Sequence, residues 1–437
     1  MQIDKTTLAD LSIFHSEEEL SVVHFLDHTQ TNGGRAYLYD MLAKPLSTVE
    51  AIESNQQIIR DLIPLIDRWP IGITNGTVMV IAQFYESQVN KYPIQPNAIN
   101  SFFYKLFNAP DFSLTRYTIS HCIDFVKGMS EITKLLNEHS SSIQLRIWSE
   151  RIEMLLNKGV IPEMSNQLKE GLSNWKILHY ANFIRFHYKN QFFELIDIYS
   201  RIDAFLSLSI ACKKYEFSFP EVLKSEQPYI EATGLYHPLL QVPVSYDIEM
   251  SRDKNFLFLT GANMAGKSTF IKAVGVNVYL AHLGMGVPAK KMQLSLFDGL
   301  LSNINVVDNI IKGESYFFNE VQRIKNTIEK ISDGRNWLIL IDELFKGTNV
   351  QDAMKCSTTV IEGLRKMKNV LFILSTHLYE IGEPLQQFNN IQFRYFETSV
   401  IEDQLVFSYQ LKEGISNDRL GYLILRKEGV VELLEKL

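Results

Sequence analysis

A short polar segment, residues 261–268 with the sequence Gly-Ala-Asn-Met-Ala-Gly-Lys-Ser, constrains the fold of this chain more than any other feature. It follows an apolar run, 256–259, and opens a helical pattern, 269–283, which is the context of a phosphate-binding loop. Glycines in such a loop let backbone N–H groups converge on phosphate oxygens at a helix N-terminus. The segment therefore predicts an α/β core with a phosphate site.

Two side chains of this loop have specific roles in the prediction. Lys267 is expected to reach the β- and γ-phosphates of a nucleotide, and Ser268 to ligate magnesium. We therefore predict that the chain binds ATP together with Mg²⁺.

A second apolar run, 337–341, ends in two carboxylates, Asp342 and Glu343. The carboxyl ends of strands are where open α/β sheets bind their ligands. Asp342 is predicted to hold magnesium, directly or through water, and Glu343 to be the general base that polarises an attacking water. Two acids after a strand are by themselves commonly a solvated strand end, but the phosphate loop favours the functional interpretation.

Two further polar residues are candidates outside the loop and the acidic pair. A third apolar run leads to His377, whose imidazole could hydrogen-bond the γ-phosphate or the attacking water. Ser315 precedes another helical pattern, and there it could cap the helix or offer its hydroxyl to phosphate. The residues alone favour the cap.

The first half of the chain is predicted to be helical. Residues 16–214 carry apolar side chains at spacings of three and four, with clear amphipathic stretches at 144–156 and 190–208. Ser16, with a Glu three residues later, matches a capping box at the start of this region. The two prolines within residues 91–97 predict a break between helices.

The second half has a different pattern. Prolines recur from Pro220 to Pro243, just where helical periodicity fades and short β-type runs begin. We place the domain boundary there, with an all-α domain in residues 1–220 and an α/β domain in residues 221–437. Apolar runs alternating with helical segments predict a largely parallel sheet in the second domain.

The bulk composition excludes several classes of protein. With 437 residues, 46% hydrophobic and 21% charged, the chain resembles an ordinary globular protein of two or three domains. Cys122, Cys212 and Cys356 indicate neither a disulfide framework nor a cysteine metal site. We predict a cytoplasmic protein, since neither a secretory start nor a membrane span is found in the sequence. The net charge of −7 gives no global sign of affinity for a phosphate backbone.

These motifs, in this order, resemble those of the MutS family of mismatch-repair ATPases, which are close relatives of the ABC-type ATPases. The phosphate loop is similar to the family's GPNMGGKST: Asn263 and Met264 agree, and Ala262 and Ala265 depart. The other matching segments are 342–348 with DExGRGT, 375–377 with (S/A)TH, 313–320 with GRSTFxxE and 234–238 with GxxHP. Segments 25–35 and 45–56 resemble the family's helical core more weakly.

The resemblance implies roles that the residues alone do not give. It makes residues 1–220 a helical core or lever domain and residues 221–437 a P-loop ATPase domain of ABC type. It implies that Ser315 completes the nucleotide site of a partner subunit, so that the competent enzyme is a homodimer with two composite sites, and that Tyr409 lies near the adenine. The remaining implied nucleotide contacts are Gly261, Asn263, Met264, Gly266, Lys267, Ser268 and Thr269.

The chain also departs from the family. The substituted positions are Phe345 for Gly, Lys346 for Arg, Glu314 for Arg, Tyr316 for Thr and Asn349 for Ser, so we expect coupling between the two sites to differ from the family norm. We expect a short form of the family that lacks the mismatch-reading domain with its Phe-x-Glu wedge and the connector domain, with little room for a DNA clamp or a C-terminal helix-turn-helix. We therefore expect DNA binding that is structure-specific rather than mismatch-specific, with other repair proteins as further partners.

Three hypotheses about function stay open on the sequence. The leading one is an ATP-switched DNA-binding dimer in repair or recombination, whose shape is set by ATP binding and reset by hydrolysis. An assembly factor acting on a ribosome or protein would use the same closure, and the acidic net charge is compatible with it. A scaffold that binds ATP with little turnover is compatible with the changes at Phe345 and Glu314.

Overall fold

The computed structural model of this chain describes residues 1–89, 91–167, 171–304, 316–401, 404–416 and 430–434. Residues contact one another mainly within two compact units. The first unit combines Met1–Phe25, Lys44–Glu53 and Tyr215–Leu437, and the second combines Leu26–Ala43 and Ser54–Lys214.

The α-helices of the described residues lie in both units. In chain order they are α1 (Lys5–Asp10), α2 (Val22–Leu26), α3 (Asn32–Ala43), α4 (Val49–Leu62), α5 (Asn75–Glu86), α6 (Ala98–Phe107), α7 (Ala109–His139), α8 (Ile143–Leu156), α9 (Ile161–Ser165), α10 (Asn174–His187), α11 (Lys189–Lys214), α12 (Lys267–Ala281), α13 (Tyr316–Ile331), α14 (Val350–Leu364), α15 (Gly382–Leu385) and α16 (Val430–Leu434).

The β-strands all lie in the first unit. They are β1 (Glu221–Leu223), β2 (Ile230–Leu235), β3 (Tyr246–Met250), β4 (Phe256–Thr260), β5 (Lys291–Ser295), β6 (Gly299–Asn303), β7 (Trp337–Asp342), β8 (Val370–Ser375), β9 (Ile391–Ile401) and β10 (Gln404–Glu413).

The second unit is helical, as predicted. The stretches 144–156 and 190–208 lie in α8 and α11, and residues 91–97 separate α5 from α6. The long helix α7 packs against α5, α8 and α10, while α11 packs against α3. The buried carboxylate of Asp203 on α11 accepts hydrogen bonds from the backbone N–H groups of Gln30 and Thr31, which fixes the chain at the start of α3.

A six-stranded sheet forms the centre of the first unit. Its order is β10-β9-β4-β8-β7-β6, with β9, β4, β8, β7 and β6 parallel and β10 antiparallel at one edge. The three predicted apolar runs are β4, β7 and β8, and their side chains are buried along the whole of each strand. Continuous apolar runs are typical of strands covered on both faces. The prediction of a largely parallel sheet is confirmed.

Helices cover both faces of this sheet. On one face α12 packs against β7 and β8, with Gly275 so close to Leu340 that an added Cβ would lie 2.6 Å from the leucine Cδ1. On the other, α13 and α14 contribute Ile324 and Ile361 to a core cluster shared with the odd-numbered apolar residues of β7. A smaller sheet of order β1-β5-β2-β3 lies in the same unit.

The N-terminal residues also pack in the first unit. Gln2 forms a parallel bridge with Gly299 of β6, and α1 lies against the same strand. The Asp10 carboxylate accepts hydrogen bonds from the Ser302 hydroxyl and from the Ile304 N–H. The compact units therefore do not follow the predicted division at residue 220, and the two-domain assignment stays a prediction.

The predicted capping box at Ser16 is wrong. A 3-10 turn begins at Glu18 without a side-chain cap, and α2 begins only at Val22. The N–H groups of Val22 and Val23, at the start of α2, donate to the carbonyl oxygens of Ser12 and Ile13. These backbone carbonyls take the place of a capping side chain.

In the described part of the chain, no helix combines the length and apolar character that crossing a membrane requires.

Candidate functional site

The phosphate-binding loop connects the central strand β4 to α12, as predicted. Two of its glycines are required by the backbone. Gly261 has φ 141°, and an added Cβ would lie 3.2 Å from the Phe396 carbonyl oxygen; Gly266, with φ 109°, is the N-cap of α12. Ala265, where the related motif has glycine, is not among the residues with positive φ, so its side chain adds no left-handed strain there.

Lys267 begins α12 and is 5% exposed. Its Nζ donates hydrogen bonds to the carbonyl oxygens of Gly261, at 2.7 Å, and Ala262, at 3.0 Å. Burial lowers the pKa of the ammonium, while the carboxylates of Glu343 and Asp342 oppose that change. The loop thus encloses a buried lysine whose ammonium bonds two loop carbonyls, and a cation at this position is suited to bind a phosphate oxygen.

The hydroxyl of Ser268 donates a hydrogen bond to the Asp342 Oδ2 atom, and the Ser375 hydroxyl donates to Oδ1 of the same carboxylate. This contact follows from the sheet register, in which Asp342 and Ser375 are paired across β7 and β8. A hydroxyl and a carboxylate oxygen in contact are the ligand types that Mg²⁺ takes beside phosphate. Among the described residues, no group of three or more His, Cys, Asp or Glu could hold a metal ion.

Glu343 follows β7 with its backbone in the left-handed region, at φ 62°. Its N–H donates to the Ser375 carbonyl oxygen at 3.0 Å, so the backbone of Glu343 remains bonded to the end of β8. The Oε2 atom lies 3.2 Å from Lys346 Nζ and 3.6 Å from His377 Nδ1. Interaction with His377, followed by that with Lys346, lowers the pKa of the Glu343 carboxyl to about 2. The carboxylate is therefore ionised at neutral pH.

A cavity of about 450 Å³ lies over the loop and Glu343. Its lining includes six of the predicted nucleotide contacts from the loop and α12, namely Asn263, Met264, Gly266, Lys267, Ser268 and Thr269. Tyr409, predicted to lie near an adenine, also lines it, and its ring would be 3.4 Å from a Cβ added at Gly266. A cavity of this size is typical of small-molecule and cofactor sites.

One wall of the cavity was not predicted from the sequence. It consists of four apolar residues between the first prolines of the α/β half and the end of β3: Leu240, Val242, Val244 and Tyr246. Val242 is 90% exposed, so its side chain is free to contact a ligand in the cavity that it lines. In the sequence, the available signal was an apolar residue directly before Pro243 and two residues after Leu240. No local pattern predicts that this loop lies beside residue 266.

The segment after Glu343 is held by α13. The buried Glu320 carboxylate accepts hydrogen bonds from the N–H groups of Lys346, at 3.1 Å, and Gly347, at 3.2 Å. Phe345 is 4% exposed, and its ring lies 5.7 Å from that of Phe317. Its φ of 60° is a conformation suited to glycine, the residue that the related motif has there.

The structure thus brings Lys267, Ser268, Asp342, Glu343, His377 and Tyr409 to one edge of the sheet. Gly261 supports the loop beneath the cavity rather than lining it. Ser315 lies outside the described residues, as do Gly313 and Glu314, so its predicted role in a partner's site stays a prediction.

Comparison with known proteins agrees with this geometry. Residues 257–433 match the family described as MutS domain V. The chain is 28% identical over 242 residues to the DNA mismatch repair protein MutS of Petrotoga mobilis, a match covering 54% of this chain and 29% of that protein. It is 31% identical over 231 residues to MutS of Bacillus subtilis, covering 51% and 26%. It is 30% identical over 260 residues to the DNA mismatch repair protein MSH3 of Vanderwaltozyma polyspora, covering 56% and 25%.

Each match therefore spans about half of this chain and between 25% and 29% of the relative. The matched region includes nearly all of β4, the phosphate-binding loop, β7, β8 and β10, which carries Tyr409. Residues 257–433 are thus similar to MutS domain V, and the similarity to the MutS and MSH3 proteins extends over about half of the chain.

Proposed function

We propose that this chain is a Mg²⁺-dependent ATPase that works as a homodimer of MutS type and changes conformation on DNA, in repair or recombination. In this proposal residues 1–220 act as a lever domain and residues 221–437 as the ATPase domain. DNA is the proposed partner because the relatives reported above are named as DNA mismatch repair proteins. Binding to a particular DNA structure, rather than to mismatches, is part of the proposal.

One observation carries the ATPase part: Ser268 Oγ is hydrogen-bonded to Asp342 at the mouth of a loop that encloses a buried lysine. In the proposed complex, backbone N–H groups of the loop and Lys267 bind the phosphates, and Tyr409 packs against the adenine. Ser268 and Asp342 would hold Mg²⁺, which would supply positive charge beside the phosphate oxygens. Loop dipoles and Lys267 add to that stabilisation.

Glu343 is the proposed acceptor of a proton from the attacking water. It lines the cavity together with the loop, and it is ionised at neutral pH. A general base works best when its pKa lies near the working pH. Lys346, at 3.2 Å, and His377 keep the pKa of Glu343 far below that range. We propose that His377, which lies beside Glu343, hydrogen-bonds the γ-phosphate or the attacking water.

Phosphate release tests the ATPase part. Glu343→Ala should retain ATP and lower the steady-state rate by at least about 100-fold, because general bases contribute that much or more. Lys267→Ala should lose nucleotide binding or turnover. Glu226→Ala, an exposed acid outside the cavity, is the control and should match wild type. Equal rates for wild type and Glu343→Ala would contradict catalysis and favour a scaffold with little turnover.

Fluorescence anisotropy tests the DNA part. Glu343→Ala, with and without ATP, is titrated against matched, mismatched and branched DNA at several salt concentrations, because phosphate contacts weaken steeply with salt. We expect ATP-dependent, salt-sensitive binding that is strongest for branched DNA. No binding to any DNA at low salt would favour a ribosome or protein partner instead. A stalled variant that stays monomeric with ATP would contradict the composite site and the role of Ser315.

A further inference from the structure

The helix α6 presents an apolar surface that no other described element covers. Five of its residues, at spacings of three and four, point away from the unit that carries them and are between 49% and 76% exposed: Ile99, Phe102, Phe103, Leu106 and Phe107. We name these five residues the α6 stripe. The opposite face of the helix, with Ser101 and Tyr104, is buried against its neighbours α7 and α10.

The α6 stripe is large for a surface without a partner. If a fully exposed side chain of this size presents ~200 Å², the stripe exposes about 600 Å² of apolar side chain. Soluble monomers rarely expose contiguous apolar patches above a few hundred Å², and larger ones mark interaction sites. A surface of this extent is expected to bury itself against another apolar surface.

The aromatic side chains of the stripe contact one another. The rings of Phe103 and Phe107 are stacked, with centroids 6.2 Å apart and planes 9° apart, and Phe102 meets Phe103 edge-on. The helix begins with a reciprocal capping box between Asn97 and Asn100. Binding by this surface therefore costs little ordering of side chains, which favours affinity.

The charge carried by α6 itself indicates what kind of partner the stripe would bind. Residues 97–108 contain one charged residue, Lys105, which lies outside the stripe with its Nζ 5.5 Å from the Phe112 ring. Nucleic-acid backbones and anionic membranes are bound by clusters of Lys and Arg, and one lysine does not make a cluster. A charge-free apolar stripe is instead complementary to itself, because a two-fold axis places the same patch on both subunits without opposing like charges.

We infer that the α6 stripe is a contact between two copies of this chain, formed without nucleotide. Two stripes packed together bury about 1,200 Å², at the lower end of stable, specific interfaces. The contact lies in the helical unit and uses none of the residues proposed to bind ATP. It is therefore a second contact, independent of the ATP-dependent dimer proposed above.

Sedimentation velocity without nucleotide, over a range of protein concentrations, tests the inference. Wild type should form a dimer, and the double variant Phe102→Glu/Leu106→Glu should weaken it at least about 100-fold, as expected when central interface residues are lost. The matched control is Ile143→Glu/Ile147→Glu, which changes two residues of α8 that are 69% and 51% exposed. This control, and Lys267→Ala, should retain the nucleotide-free dimer.

A cross-linking experiment gives a second readout if the double variant does not fold. Ile99→Cys should form a covalent dimer with a short bismaleimide in the absence of ATP, whereas wild type should not, because Cys122 and Cys212 are buried and Cys356 is half-buried. A monomeric wild type at about 100 µM, equal dissociation of the α8 control, or binding of monomers to lipid vesicles through α6 would overturn the inference. Failure of the ATPase proposal would leave these results unchanged, since no nucleotide is added.

Discussion

Phe345 and Glu343 lie two residues apart, and both have left-handed backbone, at φ 60° and φ 62°. A side chain in that region costs roughly 1–2 kcal/mol. At Phe345 the ring offsets this cost, because it is buried in the core cluster and contacts Phe317. At Glu343 the same conformation directs the carboxylate toward Lys346 and His377. The segment therefore combines a strained backbone with an apolar anchor.

This balance predicts an unusual order of stability at position 345. Phe345→Ala should lower stability by about 3 kcal/mol through lost burial. Phe345→Gly should be about 1 kcal/mol less destabilising than Phe345→Ala, because glycine removes the left-handed strain. Thermal melting of the two variants measures the difference.

Ile361 supplies the control for that prediction, because it is fully buried in the last turn of α14 and has ordinary helical backbone. There Ile361→Gly should be less stable than Ile361→Ala, since glycine is the poorer helix former. If Phe345→Ala has a higher melting temperature than Phe345→Gly, the left-handed backbone at Phe345 does not lower the stability of the protein.

His282 is a buried histidine whose hydrogen bonds fix its neutral form. Its Nε2 accepts from the Phe297 N–H at 3.2 Å, so Nδ1 carries the proton and donates to the Leu46 carbonyl oxygen at 3.1 Å. Burial lowers the pKa of His282 to about 4. A second proton would be on Nε2, where it would face the Phe297 N–H and prevent the hydrogen bond between them. The folded protein therefore resists protonation of His282, whereas an unfolded chain accepts it near pH 6.5.

Acid should consequently destabilise the first unit. The pKa of His282 is lower in the folded state, so its contribution is complete above pH 6.5 and is lost as pH falls toward 4, by up to about 1.4 kcal/mol per pH unit. Urea unfolding of wild type and His282→Gln at pH 7.5, 6 and 5 measures this. The variant should be less stable at pH 7.5 but have a flatter pH dependence. His15→Gln, at an exposed histidine, should keep the wild-type slope; an unchanged slope in His282→Gln would contradict the prediction.

Among the elements, α13 has a specific mechanical role, because it holds the segment that carries Glu343. The two oxygens of the Glu320 carboxylate accept hydrogen bonds from two backbone N–H groups of that segment. A glutamine side chain has one acceptor oxygen, so it could accept only one of these bonds in the same way. Glu320→Gln should therefore lower the turnover number for ATP about tenfold, which corresponds to roughly 1.4 kcal/mol. The KM for ATP should change little, because Glu320 does not line the cavity.

Steady-state kinetics with Glu329→Gln as the control tests this role. Glu329 lies on the same helix, but its side chain is 64% exposed and pairs with Lys325. An equal loss in both variants, or a change confined to KM, would show that Glu320 does not position the Glu343 segment.

Some elements of this fold could be predicted from the sequence, and others could not. The strands β4, β7 and β8 and the helix α12 were predictable because apolar runs and a glycine loop specify them locally. The wall formed by Leu240, Val242, Val244 and Tyr246 was not, because a loop reaches residue 266 only through the tertiary fold. The capping box at Ser16 failed for the same reason, since backbone carbonyls from Ser12 and Ile13 took its place.

At the scale of the whole molecule, the first compact unit is assembled from three separate stretches of chain. The boundary signal near Pro220 marks a change in local pattern, and it carries no information about where residues 1–25 pack. Their partners lie on β6, and one contact joins residues 292 positions apart. Local periodicity cannot predict a contact of that sequence separation.

This arrangement sets an order of events during synthesis. Ribosomes add about 5–20 residues per second, so roughly 15–60 s pass between the emergence of Asp10 and that of Ser302. During that interval the second compact unit, which ends at Lys214, can fold while α1 has no strand to pack against. Residues 1–10 are therefore synthesised well before the strand that they pack against.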